Sequence, residues 1–128
     1  MDGWSSQIYD YPDIPLDRIY DVADWTIKPY RKIRYFRQIV ALDTETSQLA
    51  EDVLVVTDWS LTMEEFGCIY GHRVRDLMEL LSKICSMLEV SEKNKLVVYV
   101  HNLSYDYMFL RNHLFETFGA PVHSIATR

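Results

Sequence analysis

Cysteine, glycine and proline are all scarce in this chain, and it has no long apolar run. Its two cysteines, Cys68 and Cys85, lie in unrelated segments without metal or redox spacing, which argues against a disulfide scaffold and leaves reduced thiols in a cytosol. Four glycines and four prolines, with no internal repeat, set it apart from fibrous and low-complexity chains. No apolar stretch approaches the roughly 20 residues of a membrane span. The amino terminus, MDGWSSQIYDYPD, is acidic and lacks the basic start and apolar stretch of a secretory signal. No membrane partner is expected. Positive charge is short as well: the net charge of −6 argues against non-specific binding to duplex DNA, which works by neutralising phosphates. It leaves open an enzyme that holds one strand end among carboxylates, where divalent ions supply the missing charge.

What is present describes an ordinary globule, with 48% apolar and 25% charged residues in a chain long enough for one domain with a core of its own. Residues 1–24 carry Asp2, Asp10, Asp13, Asp17, Asp21 and Asp24 against the single Arg18. Pro12 and Pro15 interrupt regular structure there. This stretch reads as an arm anchored by Trp4, Tyr9, Tyr11 and Ile14, with a loose far end. The charge then flips. Lys28, Arg31, Lys32, Arg34 and Arg37 stand without an acid among Tyr30, Tyr35 and Phe36, a pattern that suits either a solvated face or a track for a nucleic-acid backbone. The division expected is an acidic arm and basic segment over 1–35, then a compact part over 36–128.

The run from Gln38 to Asp43 is apolar and β-branched, as in a buried central strand. A loop over Ser47–Asp52 leads to a second strand, Val53–Leu61, and a Thr-Met-Glu-Glu turn to a third, Phe66–Tyr70, giving an antiparallel meander. Val74, Leu77, Leu81, Ile84 and Leu88 recur at helical spacing. A polar link, Ser91–Lys95, precedes Leu96–Val100, a strand expected to be buried on both faces. Ser104 is the expected cap of a last helix lined by Leu110, Leu114 and Phe118. Gly119 and Pro121 stop it, and Val122–Arg128 begins a further strand. Three antiparallel strands, a crossover helix and a parallel strand make a mixed α/β sheet flanked by helices. That order resembles the ribonuclease H-like fold, and other α/β folds share part of it.

Asp43 and Glu45 close the first of these strands. Residues two apart in a strand share a face, and two neighbouring carboxylates repel unless a cation lies between them. Their hard oxygens suit Mg²⁺ or Mn²⁺. The bland alternative is a strand end with two solvated acids. Asp106 follows the second apolar strand into a helix. If the strand of Val97–Val100 lies beside that of Val40–Asp43, Asp106 rises next to the first pair, in the crevice where α/β sheets place their sites. Its own bland explanation is a favourable charge in a first helical turn.

Leu42-Asp43-Thr44-Glu45-Thr46 resembles the first motif of the four-carboxylate (DEDD) 3′→5′ exonucleases. His101-Asn102-Leu103-Ser104-Tyr105-Asp106 resembles their second motif as found in family B DNA polymerases, above all the protein-primed phage type. The resemblance covers about Ile39–Gly119. It implies a ribonuclease H-like exonuclease domain with Asp43, Glu45 and Asp106 as catalytic metal ligands. It implies further that Asn102 and Tyr105 hold the 3′-terminal nucleotides of single-stranded DNA, with Thr46, His101 and Phe109 as added contacts. Phe109 fits core packing equally well, and His101 fits a structural histidine. The implied chemistry is two-metal phosphodiester hydrolysis, one Mg²⁺ or Mn²⁺ ion activating water and the other stabilising the leaving 3′ oxygen. A cytoplasmic phage protein follows by the same resemblance, with the polymerase portion or a terminal priming protein as partners.

The family's third motif, a tyrosine and an aspartate four residues apart and well downstream of the second motif, does not occur between Asp106 and Arg128. The resemblance therefore implies a fragment that is incomplete after the second motif, with weak exonuclease activity and no DNA synthesis. The alternatives are a catalytically inactive single-strand-binding module or domain remnant, and a stand-alone ribonuclease of the same superfamily. An unfinished sheet also leaves an open edge, which invites self-association.

Overall fold

Alternation in strands and a three-and-four spacing in helices decide which side chains go inside. The computed structural model describes residues 7–21, 25–28, 32–51, 53–100 and 103–119. In chain order the elements are β1 (Ile8–Asp10), α1 (Asp17–Asp21), β2 (Trp25–Lys28), β3 (Ile33–Phe36), β4 (Val40–Ala50), β5 (Val53–Met63), β6 (Gly67–Gly71), α2 (Val74–Met87), β7 (Asn94–Lys95), β8 (Val98–Val100) and α3 (Leu103–Phe118). They build a mixed α/β fold with helices flanking a five-stranded mixed sheet, ordered β1-β6-β5-β4-β8. A smaller sheet is ordered β2-β3-β7. No helix among the described residues is long and apolar enough to cross a membrane.

The large sheet is organised around the β4–β5 ladder. Val40 pairs with Met63, Leu42 with Leu61 and Thr44 with Trp59. Directly opposed residues share a face, and here Val40, Leu42, Leu61, Met63 and Trp59 are all buried. Leu77, Leu80, Leu81 and Ile84 of α2 are buried with them and close this side of the core. The intervening residues face the other way, where Ile8, Tyr70 and Tyr99 are exposed. One face of the sheet is packed and the other open.

β6 fits between β5 and the β1 segment only because two of its residues lack a side chain. A Cβ on Gly71 would lie 2.1 Å from the indole of Trp59, whose Nε1 donates to the Arg73 carbonyl at 2.8 Å. Gly67 has φ +137, and a Cβ there would meet the Gln7 carbonyl at 2.8 Å. A left-handed backbone and a crowded approach both favour glycine.

The compact part begins well before Phe36. β1 pairs in parallel with β6, and Ile19 of α1 is fully buried. Tyr9 packs on Phe66 with ring centroids 5.0 Å apart, and Tyr11 meets Trp59 edge-on at 6.2 Å. The Tyr11 hydroxyl also bonds the Glu79 carboxylate on α2. Asp10, Asp13 and Asp17 are exposed, whereas Tyr9, Tyr11, Ile14 and Leu16 pack against the core. Trp4 and residues 122–128 lie outside the described residues.

Other boundaries also move. Most of the loop expected over Ser47–Asp52 is strand: β4 continues to Ala50 because Thr46, Ser47 and Gln48 pair with Val56, Val55 and Leu54. The expected double burial of the Leu96–Val100 strand is not met. β8 has one strand neighbour, β4, among the described residues, and Val97 and Tyr99 are 40% and 60% exposed. Ser104 is inside α3 rather than at its cap. Leu110 is buried and Leu114 partly so, whereas Phe118 is exposed. The stop at Gly119 is as expected, with φ +86 and its N–H on the Phe115 carbonyl at 2.8 Å.

The end of α2 carries a device that composition did not reveal. Glu89 has φ 53, its N–H reaches the Ser86 carbonyl at 3.2 Å, and the Val90 N–H reaches the Cys85 carbonyl at 2.9 Å. This is the paired 5→2 and 6→1 closure of a Schellman motif, here with glutamate in the left-handed position. The Ser91 hydroxyl then accepts from the N–H groups of Lys93 and Asn94. The polar link is thus a bonded turn that delivers Asn94 and Lys95 to β3. Both cysteines are free and half-buried, and burial pushes the Cys85 thiol above its ordinary pKa.

Candidate active site

Asp43 and Glu45 stand on the open face of β4, and both are exposed. Across the ladder Asp43 pairs with Ser60 and Glu45 with Asp58. Asp58 therefore shares their face and adds a third carboxylate to it. Its Oδ1 lies 2.5 Å from Nδ1 of His72, and its Oδ2 lies 3.3 Å from the Thr57 hydroxyl. Among the described residues neither Asp43 nor Glu45 has such a side-chain partner.

A register slip sits at this point. Glu45 pairs with Asp58 but Thr46 with Val56, so β5 carries one extra residue, Thr57. The Thr57 hydroxyl lies 3.3 Å from the Glu45 carbonyl, where a regular ladder would bring a backbone N–H. Such slips re-aim side chains and are frequent beside active sites. Asp58 was missed in the sequence because its place opposite Glu45 depends on the β4–β5 register, which no local pattern announces.

The second candidate segment enters through β8. Its parallel pairing with β4 sets Val40 against Val98, Ala41 against Tyr99 and Leu42 against Val100. The expected adjacency of the two strands is therefore met. The chain leaves β8 one step short of the level of Asp43 and starts α3 at Leu103. The backbones of Tyr105 and Asp106 lie in the first turn of α3, which begins three residues after the carboxyl end of β8. His101 and Asn102 lie outside the described residues, as do the side chains of Tyr105 and Asp106. Thr46 and Phe109 are half-buried, and each makes contacts of its own.

Among the described residues no three His, Cys, Asp or Glu side chains converge on a point that could hold a metal ion. The chemistry of the donors nonetheless fits a hard cation. Asp43 and Glu45 offer exposed oxygens on one face, and Mg²⁺ binds through one or two carboxylates while keeping several waters. No family model, curated protein or solved structure matches the chain.

Proposed function

We propose that this chain carries part of the 3′→5′ exonuclease site of a DNA polymerase of the protein-primed family B type, on a ribonuclease H-like sheet. It removes 3′-terminal nucleotides from single-stranded DNA with Mg²⁺ or Mn²⁺. The observation that carries the reading is the parallel pairing of β4 with β8, reached by the α2 crossover. It brings the strand of Asp43 and Glu45 beside the strand that feeds α3, the helix of Asp106. Within the five-stranded sheet the order β6-β5-β4-β8, three antiparallel strands and one parallel, supports this reading, and β1, parallel beside β6, is an addition to it.

In this reading Asp43, Glu45 and Asp106 hold the metal ions, which supply an activated water and stabilise the leaving oxygen. The chain's own residues position the DNA. Tyr105 offers a stacking face that tolerates any base, and Asn102 an amide for sugar or base edges. The open sheet face leaves a strand end room to approach Asp43 and Glu45.

The test is a single-stranded oligonucleotide labelled at its 5′ end and incubated with the protein and Mn²⁺. A ladder shortening from the 3′ end is expected. Asp43→Ala and Asp106→Ala should each slow it by about 10²–10³, the usual effect of removing one group that stabilises developing charge. A wild-type chain that binds the oligonucleotide and never shortens it would overturn the nuclease reading in favour of a binding module.

A further inference from the structure

The small sheet collects positive charge in a molecule whose net charge is −6. Lys32, Arg34 and Arg37 come from β3 and its flanks, and β7 with the turn before it adds Lys95 and Lys93 from some sixty residues further on. The parallel pairing sets Arg34 against Asn94 and Tyr35 against Lys95. Two bonds fix this register: the Arg34 N–H to the Lys93 carbonyl at 2.7 Å, and Arg34 Nε to Asn94 Oδ1 at 3.0 Å. Phe36 is buried. By alternation Tyr35 therefore faces away from the core, and Lys95 stands directly opposite it. Lys32, Lys93 and Lys95 are all exposed. The described acids nearby include Glu89 and Glu92 beside the turn, Glu64, which accepts from the Ile39 N–H, and Glu65, which lies 3.9 Å from Arg37.

We propose that this face is a second contact for single-stranded nucleic acid, separate from the carboxylate site. Cations that flank a half-buried tyrosine match a phosphate backbone with a base stacked between two of its phosphates. An acidic peptide would use the charges but not the ring. Duplex DNA would bring the rest of this acidic molecule against its phosphates. The small sheet adjoins the amino ends of β4 and β8, whereas Asp43 and Glu45 stand further along β4. Val40 to Glu45 spans roughly 16 Å of extended strand. A strand lying on both sites would be anchored upstream of its 3′ end.

The experiment measures binding of a fluorescent oligothymidylate of about 16 nucleotides, near the upper site size of such grooves. Anisotropy is read over a series of salt concentrations in EDTA. No metal-dependent cutting occurs there, so the result is independent of the exonuclease reading. The triple variant K32E/K93E/K95E should bind at least tenfold more weakly. Its dependence of log affinity on log salt should be shallower by about 2, since each phosphate contact on a single strand contributes about 0.7. The neutral pair K93Q/K95Q should show the same direction with a smaller effect. Unchanged affinity and slope in both variants would overturn the proposal. So would a wild-type chain that binds poly-glutamate or duplex as tightly as the oligothymidylate.

Discussion

The two sheets hold together in different ways, and the difference separates stability from recognition. The five-stranded sheet rests on buried apolar surface: Trp59, Leu61 and Met63 on one strand, Val40 and Leu42 on the next, and α2 over them. Its open face is free to carry acids that add nothing to packing. The three-stranded sheet has strands of four, four and two residues. Its β3–β7 seam depends on named hydrogen bonds from Arg34, Asn94 and Ser91. The first sheet tolerates changes on its exposed face and fails through its core. The second is sensitive to single polar groups.

The sharpest way to break this contrast is Gly71→Ala, which sets a methyl against the Trp59 indole. It should cost about 3 kcal/mol, the upper end of overpacking effects, read as a fall in the urea midpoint. Asn94→Ala comes next, because the same amide accepts from Arg34 and donates to the Glu89 carbonyl at 3.2 Å. Its loss should cost about 1–2 kcal/mol, with faster amide exchange confined to β3 and β7. Equal costs for the two substitutions would erase the distinction between the sheets. The smallest effect has the opposite sign. Glu89→Gly should stabilise by about 1 kcal/mol, since it relieves a left-handed residue at the cost of some chain entropy. A destabilising result in thermal melts would show that Glu89 does more than end the helix.

The periodic elements were legible in the sequence. Leu77, Leu81, Ile84 and Leu88 announced α2, the β-branched runs around Val40 and Val98 announced β4 and β8, and Gly119 announced the end of α3. Elements made by long-range pairing were not. β1 and β7 are three and two residues long. No period can be read from so few positions, and their partners lie far away in sequence. Six aspartates and two prolines hid the buried Ile19, because composition reports an average and burial concerns one side chain. For the candidate site, the shared face of Asp43 and Glu45 followed from strand geometry alone. Asp58 required knowledge of which residue opposes which.

The extra residue at Thr57 lets β4 and β5 stay in phase on both sides of a bend. Val56 opposes Thr46 and shares its face, turned away from Glu45, so removing Thr57 would leave the residues beyond on the sides they now hold. What would go is the bend itself and the hydroxyl that meets the Glu45 carbonyl. A single-codon deletion would thus straighten the ladder beside Glu45 without altering any acid, a change that substitution scanning would never sample.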